Sequence, residues 1–276
     1  MAAAVIAICN QKGGVGKTTT VFHLADALRR AGSKVLCVDL DPQGNLTSIL
    51  VGEALEHDDT GVADALSGFT SRSLPEVVTE GLWPGVDIAP TAPMNPDPTA
   101  APVDRLASVR DELVVAGTGR ERRLKEGLAP LVDTYDVVLI DCAPSLDLLT
   151  INALVAATDA VELSEAALFS ANGLAKLGKN IDAIRDSYNP RLRGPRVIVN
   201  KYEGQTVSGR EALADIGTHI PIIGTPIPKA VVIKDAAEAR TSLLDWGTTT
   251  ARNLFAFYRD IAVQLLEVDH AAPTAT

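Results

Sequence analysis

Aromatic rings are scarce in this chain. Phe, Trp and Tyr make up 4% of its 276 residues, while small and branched aliphatics fill most of a 46% hydrophobic share. That balance suits parallel strands buried between helices. Cysteine is scarcer still: Cys9, Cys37 and Cys142 form no spaced pairs. They argue against a disulfide framework or a thiolate metal site and read as reduced core thiols. No apolar stretch approaches the ~18 residues of a membrane span and no signal peptide is recognisable, so a cytoplasmic location is expected. Positive charge is outweighed, with 35 acidic against 25 basic residues and a net charge of −10. This argues against tight nucleic-acid binding by the chain as a whole, though not against a local basic patch.

What the chain has in quantity is alternation. "AVIAIC" (4–9), "KVLCVDLD" (34–41), "VDIAP" (86–90), "DVVLID" (136–141), "AVEL" (160–163), "RVIVN" (196–200) and "PIIGTPI" (221–227) read as strands. Helical patterns cover 17–32, closed by Gly32, then 103–116, 121–133, 147–157, 171–187, 208–219 and 248–267. Strand–helix repetition with right-handed connections predicts an α/β fold, a doubly wound, mostly parallel sheet with helices on both faces. Residues 1–267 are expected to form one domain. Residues 52–80 read as polar and mixed, 91–102 as a surface loop and 268–276 as a disordered tail.

"ICNQKGGVGKTTT" (8–20) joins the first strand to the first helix. In an open α/β sheet, such a turn holds phosphate on loop N–H groups and on the positive end of the helix. Gly13, Gly14, Val15 and Gly16 supply that backbone, the glycines allowing close approach and positive φ. Lys17 would reach the β- and γ-phosphates, Thr18 would offer its hydroxyl to Mg²⁺, and Thr19 would bond the α-phosphate. The usual G-x-x-x-x-G-K-[ST] pattern is altered: Gln11 takes the first position and Lys12 the next.

"KGGVGKTT" resembles the deviant Walker A motif of the ParA/MinD family of ATPases, a branch of the P-loop NTPases, and the wider "NQKGGVGKTTT" resembles the ParA (Soj-like) partition branch. The resemblance implies ATP and Mg²⁺ as cofactors and a homodimer formed with ATP. Lys12 would then be a catalytic lysine that crosses the dimer interface to the neighbour's phosphates, with Lys17 serving its own subunit. Two facing ATP molecules repel unless cations intervene. "VLCVDLDPQGN" (35–45) resembles the family's second motif, which implies that Asp41 orients the attacking water and that Asp39 lies near Mg²⁺. "VVLIDCAPSL" (137–146) resembles Walker B, which implies Asp141 as the metal-holding carboxylate. "VIVNKY" (197–202) and "TPIPKAVVIKDA" (225–236) resemble the adenine-contacting segments, through Asn200 and Pro228. "ALFSANGLAKL" (167–177) is also similar to the family, whereas Glu165, in the preceding "VELSEAA", departs from its usual proline-containing segment.

The resemblance implies a plasmid or chromosome partition ATPase whose dimer binds DNA without sequence preference and whose hydrolysis a ParB-like partner stimulates. It would be nucleoid-associated where DNA binding holds. Phosphate-neutralising candidates are Lys229, Lys234, Arg210 and Arg240, with a second cluster at Arg191, Arg193 and Arg196. Gln205 stands where some members carry a DNA-contacting arginine. One alternative is a related ATPase that positions a non-DNA cargo. A MinD-like membrane binder is disfavoured because the last helix ends in Glu267 and Asp269, and no membrane partner is expected. A nitrogenase-reductase-like member would need cluster ligands, and Cys142 is a lone thiol. With about four residues ahead of the first strand, no helix-turn-helix domain is expected there.

Overall fold

A computed structural model of the protein describes residues 3–51, 55, 60–92, 105–166 and 171–267. The chain opens with β1 (Ala4–Cys9), α1 (Lys17–Arg30), β2 (Val35–Leu40), α2 (Asn45–Leu50), α3 (Val62–Leu66) and α4 (Leu74–Val77). β3 (Thr79–Glu80), β4 (Val86–Ala89), α5 (Arg105–Val115), α6 (Arg123–Leu128), β5 (Val137–Cys142) and α7 (Leu148–Ala156) follow. The last third holds β6 (Asp159–Glu165), α8 (Ala171–Ser187), β7 (Arg193–Asn200), α9 (Val207–His219), α10 (Val231–Glu238) and α11 (Thr249–Glu267).

The strands form one seven-stranded sheet ordered β3-β4-β2-β5-β1-β6-β7. All pairings are parallel except the short β3 against β4. β1, β2 and β5 are buried at every position, which is why they read as unbroken apolar runs rather than alternating ones. Alternate residues nonetheless go to opposite faces. Ile6, Ile8, Cys37 and Leu139 pack under α1, α2, α10 and α11 through Phe22, Leu46, Ile233 and Tyr258. Val5, Ala7, Leu36 and Ile140 pack against α3, α5, α6, α7 and α8 through Val62, Leu106, Leu124, Leu149 and Ile181. The doubly wound arrangement is therefore present, and the three cysteines are free and buried.

The structure departs from the sequence pattern in four places. Residues 221–227 are not a strand: an isolated bridge joins Ile222 to Val197 of β7, and just beyond both segments another joins Pro228 to Tyr202. Pro221, Pro226 and Pro228 have no N–H to give, so only Ile223 and Ile227 donate to β7 carbonyls. The helix expected over 121–133 shortens to α6: Ala129 keeps helical angles (φ −51°, ψ −43°), but Pro130 has no N–H to carry the helix further. Within the expected irregular segment 52–80 lie two short helices, α3 and α4, and a third, α2, precedes it. Residues 231–238 form an additional helix, α10. The tail 268–276, most of the expected surface loop (93–102) and the first part of "ALFSANGLAKL" (167–170) lie outside the described residues.

Candidate functional site

The carboxyl ends of β1, β2, β5 and β7 converge on one cavity of about 580 Å³, at the place where an open α/β sheet binds ligands. Gly13, Gly14, Gly16, Lys17, Thr18 and Thr19 line one wall, with Asp41 beside them and Asn200, Lys201, Pro228 and Lys234 opposite. The phosphate-loop prediction thus corresponds to a real concavity. Gly14 (φ 77°) and Gly16 (φ 93°) both adopt left-handed backbone. Gly16 caps α1 without a side-chain bond, so its amide end faces the loop unsatisfied by any cap. The Val15 side chain is core and contributes only its backbone to the loop.

Lys17 is buried, and its charge acts on Asp141. The Thr18 hydroxyl donates to Asp141 Oδ2 at 2.7 Å. Asp141 Oδ1 is buried and has no partner among the described residues. Desolvation, then the neighbouring Asp39 carboxylate, pushes the Asp141 carboxyl well above its usual range. A buried carboxyl with one idle oxygen beside a threonine hydroxyl is a donor set that suits a hard cation. Among the described residues no three His, Cys, Asp or Glu side chains cluster tightly enough to hold a metal alone. The fit is therefore to a cation shared between protein oxygens, water and a bound phosphate, with Thr18 and Asp141 as the protein's share.

Asp39 is fully buried. It lies beside Asp141 across the β2–β5 pair, but its oxygens are committed elsewhere and it does not line the cavity. Oδ2 accepts from the Thr47 amide (2.8 Å) and hydroxyl (2.7 Å), and Oδ1 accepts from the Asp41 amide at 3.2 Å. Burial raises its pKa while those three donors pull it down. Through these bonds Asp39 holds the turn that presents Asp41. Thr47, which also takes the Thr91 amide proton at 2.8 Å, is part of the same scaffold and carried no motif signal. Asp41 borders the cavity and accepts from Gln43 N at 3.0 Å.

Asn200 reaches the site, but its amide is spent on the protein. Nδ2 donates to Val15 O at 2.8 Å and Oδ1 accepts from Lys201 N at 2.9 Å. Lys201, unsuspected from sequence, extends its ammonium to Gly14 O (2.5 Å) and Glu165 Oε1 (2.6 Å). Asn10 is a second missed residue: it donates to Leu163 O at 2.6 Å and accepts from Lys12 N at 2.7 Å, tying the loop to β6. Lys12 is exposed and lies outside the cavity lining, and its charge partly offsets the burial that raises the Glu162 carboxyl pKa on β6.

The basic candidates separate. Arg240 is half-buried, and its guanidinium donates to Val51 O, tying the end of α10 to the end of α2. Arg193 and Arg196 both clamp buried Asp159, at 2.5 and 2.8 Å. Lys229, Lys234 and Arg210 are exposed. Lys229 pairs with Glu203 (2.7 Å), Lys234 pairs with Glu238 (3.2 Å) at the cavity, and Arg210 donates to Gly204 O and Gln205 O. No helix among the described residues is long and apolar enough to cross a membrane.

Comparison with known proteins agrees with this geometry. Residues 3–194 match a family described as an AAA domain. The chromosome-partitioning ATPase Soj of Thermus thermophilus is 38% identical over 84% of this chain and 83% of its own. An uncharacterised Mycobacterium tuberculosis protein is 37% identical over 96% of this chain and 79% of that one. The crystal structure of cobyrinic acid a,c-diamide synthase from Mycobacterium smegmatis, with a bound ATP analogue and magnesium, superposes with a TM-score of 0.78. It is 29% identical and covers 99% of this chain and 100% of that one. With a phosphate loop, a Walker B carboxylate and relatives of this kind, the chain belongs to the ParA/MinD family of ATPases.

Proposed function

We propose that this protein is a partition ATPase of the ParA type, which binds Mg²⁺ and ATP at the β1–α1 loop and dimerises around the nucleotide. The observation that carries the proposal is the convergence of Lys17, Thr18 and Asp41 at one cavity, with Asp141 bonded to Thr18 behind its wall and Lys12 exposed beyond it. Lys17 neutralises its own subunit's phosphates, and Gly13 to Gly16 and Thr19 hold them. Thr18 and Asp141 hold the cation, whose charge when bound stabilises the phosphates during transfer. Asp41 aligns the attacking water, and positioning of this kind is most of what phosphoryl transfer asks of a protein. Lys12 reaches the neighbour's phosphates. Asn200 and Pro228 border the base end, where the Asn200 amide anchors the loop through Val15 O.

Relatives named for chromosome partitioning support the segregation role, with duplex DNA and a ParB-like stimulating protein as partners. The DNA surface would draw on Lys229, Lys234 and Arg210. The pairs Lys229–Glu203 and Lys234–Glu238 are solvent-exposed, and such pairs are worth about 0–1 kcal/mol, so phosphate can displace the glutamates. The net charge of −10 makes DNA affinity depend on joining two such patches in a dimer. The test is retention on non-specific duplex DNA. ATP but not ADP should confer retention that falls steeply as salt rises. Absence of retention at low salt would overturn the DNA role. It would favour a non-DNA cargo or a biosynthetic ATPase, a reading that the synthase neighbour at 29% identity keeps open.

A further inference from the structure

Two consecutive residues at the end of β7 hold two consecutive carbonyls of the phosphate loop. Asn200 Nδ2 donates to Val15 O at 2.8 Å, and Lys201 Nζ donates to Gly14 O at 2.5 Å. A trans peptide places its carbonyl and its N–H on opposite sides. Holding the Gly14 and Val15 carbonyls toward β7 therefore turns the Val15 and Gly16 N–H groups to the other side of the loop. An amide cradle for an anion needs that orientation, and in an unliganded glycine-rich loop nothing intrinsic enforces it.

The Lys201 ammonium is itself fixed. Glu165 Oε1 accepts from it at 2.6 Å, and Glu165 lies in register with Asn200 across the β6–β7 pair. Lys201 adopts φ +50°, a left-handed backbone that few non-glycine residues take. That conformation costs free energy and persists where surrounding contacts impose it. Here its amide bonds Asn200 Oδ1 and its side chain spans from β7 to the loop.

We infer that Lys201 is a positioning residue, held by Glu165, that sets the phosphate loop in its anion-accepting shape before nucleotide arrives. The inference rests on the nucleotide-site reading above and adds to it two residues that lie outside the three motifs. Glu165 neutralises the ammonium, so the pair presents no extra net charge to the terminal phosphate. Its loss should weaken ATP and ADP alike, whereas a contact to the γ-phosphate would discriminate between them.

Titration of the full chain with fluorescent ATP and ADP analogues tests this. Lys201→Met and Glu165→Gln should each raise both dissociation constants by a similar factor, on the order of tenfold for one charge-assisted bond. The double variant should be no worse than Lys201→Met alone, because the two side chains act through one contact. Lys201→Arg, which keeps a cationic donor, should stay close to wild type. Melting temperature without nucleotide separates a misfolded Lys201→Met from a mispositioned loop, and Glu165→Gln carries the test if Lys201→Met does not fold. Wild-type affinity for both nucleotides in folded variants, or a loss confined to ATP, would overturn the inference. Failure of the wild-type chain to bind either nucleotide would instead overturn the site reading beneath it.

Discussion

Gly16 shows how narrowly the site is specified at the scale of one residue. Its φ of 93° belongs to the left-handed region, and a Cβ there would stand 2.7 Å from Asn200 Nδ2. Gly16→Ala therefore meets both a backbone penalty and a clash with the side chain that anchors Val15 O. Nucleotide affinity should fall by at least about tenfold in the alanine variant, at a stability cost near 1 kcal/mol, as measured by titration and urea unfolding. Gly13, with nothing within 4 Å of its would-be Cβ, is the control. Sequence alone made both glycines equivalent members of a motif. The left-handed φ at Gly16 and the Asn200 side chain, 184 positions away along the chain, make them unequal.

Among elements, α1 carries the site and is tied to the far side of the cavity by a histidine. His23 is buried, and its Nε2–H donates to Ile233 O at 2.8 Å, linking α1 to α10. The ring packs on Phe22 and Tyr258, with centroids 5.2 and 4.9 Å apart. Burial lowers its pKa from 6.5 to about 4, against smaller opposing contributions from the Ile233 carbonyl and Asp26. Below pH 6.5 the unfolded chain takes up a proton that the folded protein refuses until about pH 4. The stability His23 contributes is therefore complete above pH 6.5 and lost as pH falls toward 4, on the order of 3 kcal/mol. His23→Phe should be less stable at pH 7, with Ile233 O unpaired, yet show a flatter loss between pH 6.5 and 4 in urea titrations. An equal slope in both proteins would remove His23 as the cause.

For the whole molecule, the claim that matters is quaternary. A second lysine in the phosphate loop is exposed and outside the cavity of its own subunit, and the proposed function gives it the phosphates of a neighbour. Lys12→Gln should leave folding and the monomer's nucleotide site intact while removing ATP-dependent dimerisation in sedimentation. A variant that still dimerises with ATP would refute the cross-subunit role.

The chain by itself determined the strands of the parallel sheet, because strands buried on both faces must be apolar throughout, and it determined the phosphate loop, because glycines, lysine and threonine are contiguous there. It did not disclose α2, α3 and α4, since helices of four to six residues have too few turns for a period to show. Pro221 and Pro226, with Pro228 just beyond, turned an apolar run at 221–227 into an edge segment. Tertiary structure alone decided that Asp39 bonds Thr47 and the Asp41 amide, and that Arg240 donates to Val51 O. It also decided that Lys201 spans from Glu165 to Gly14. Each of these depends on which donor lies within about 3 Å of a given oxygen, a fact set by how sheet and helices pack and carried by no local run of residues.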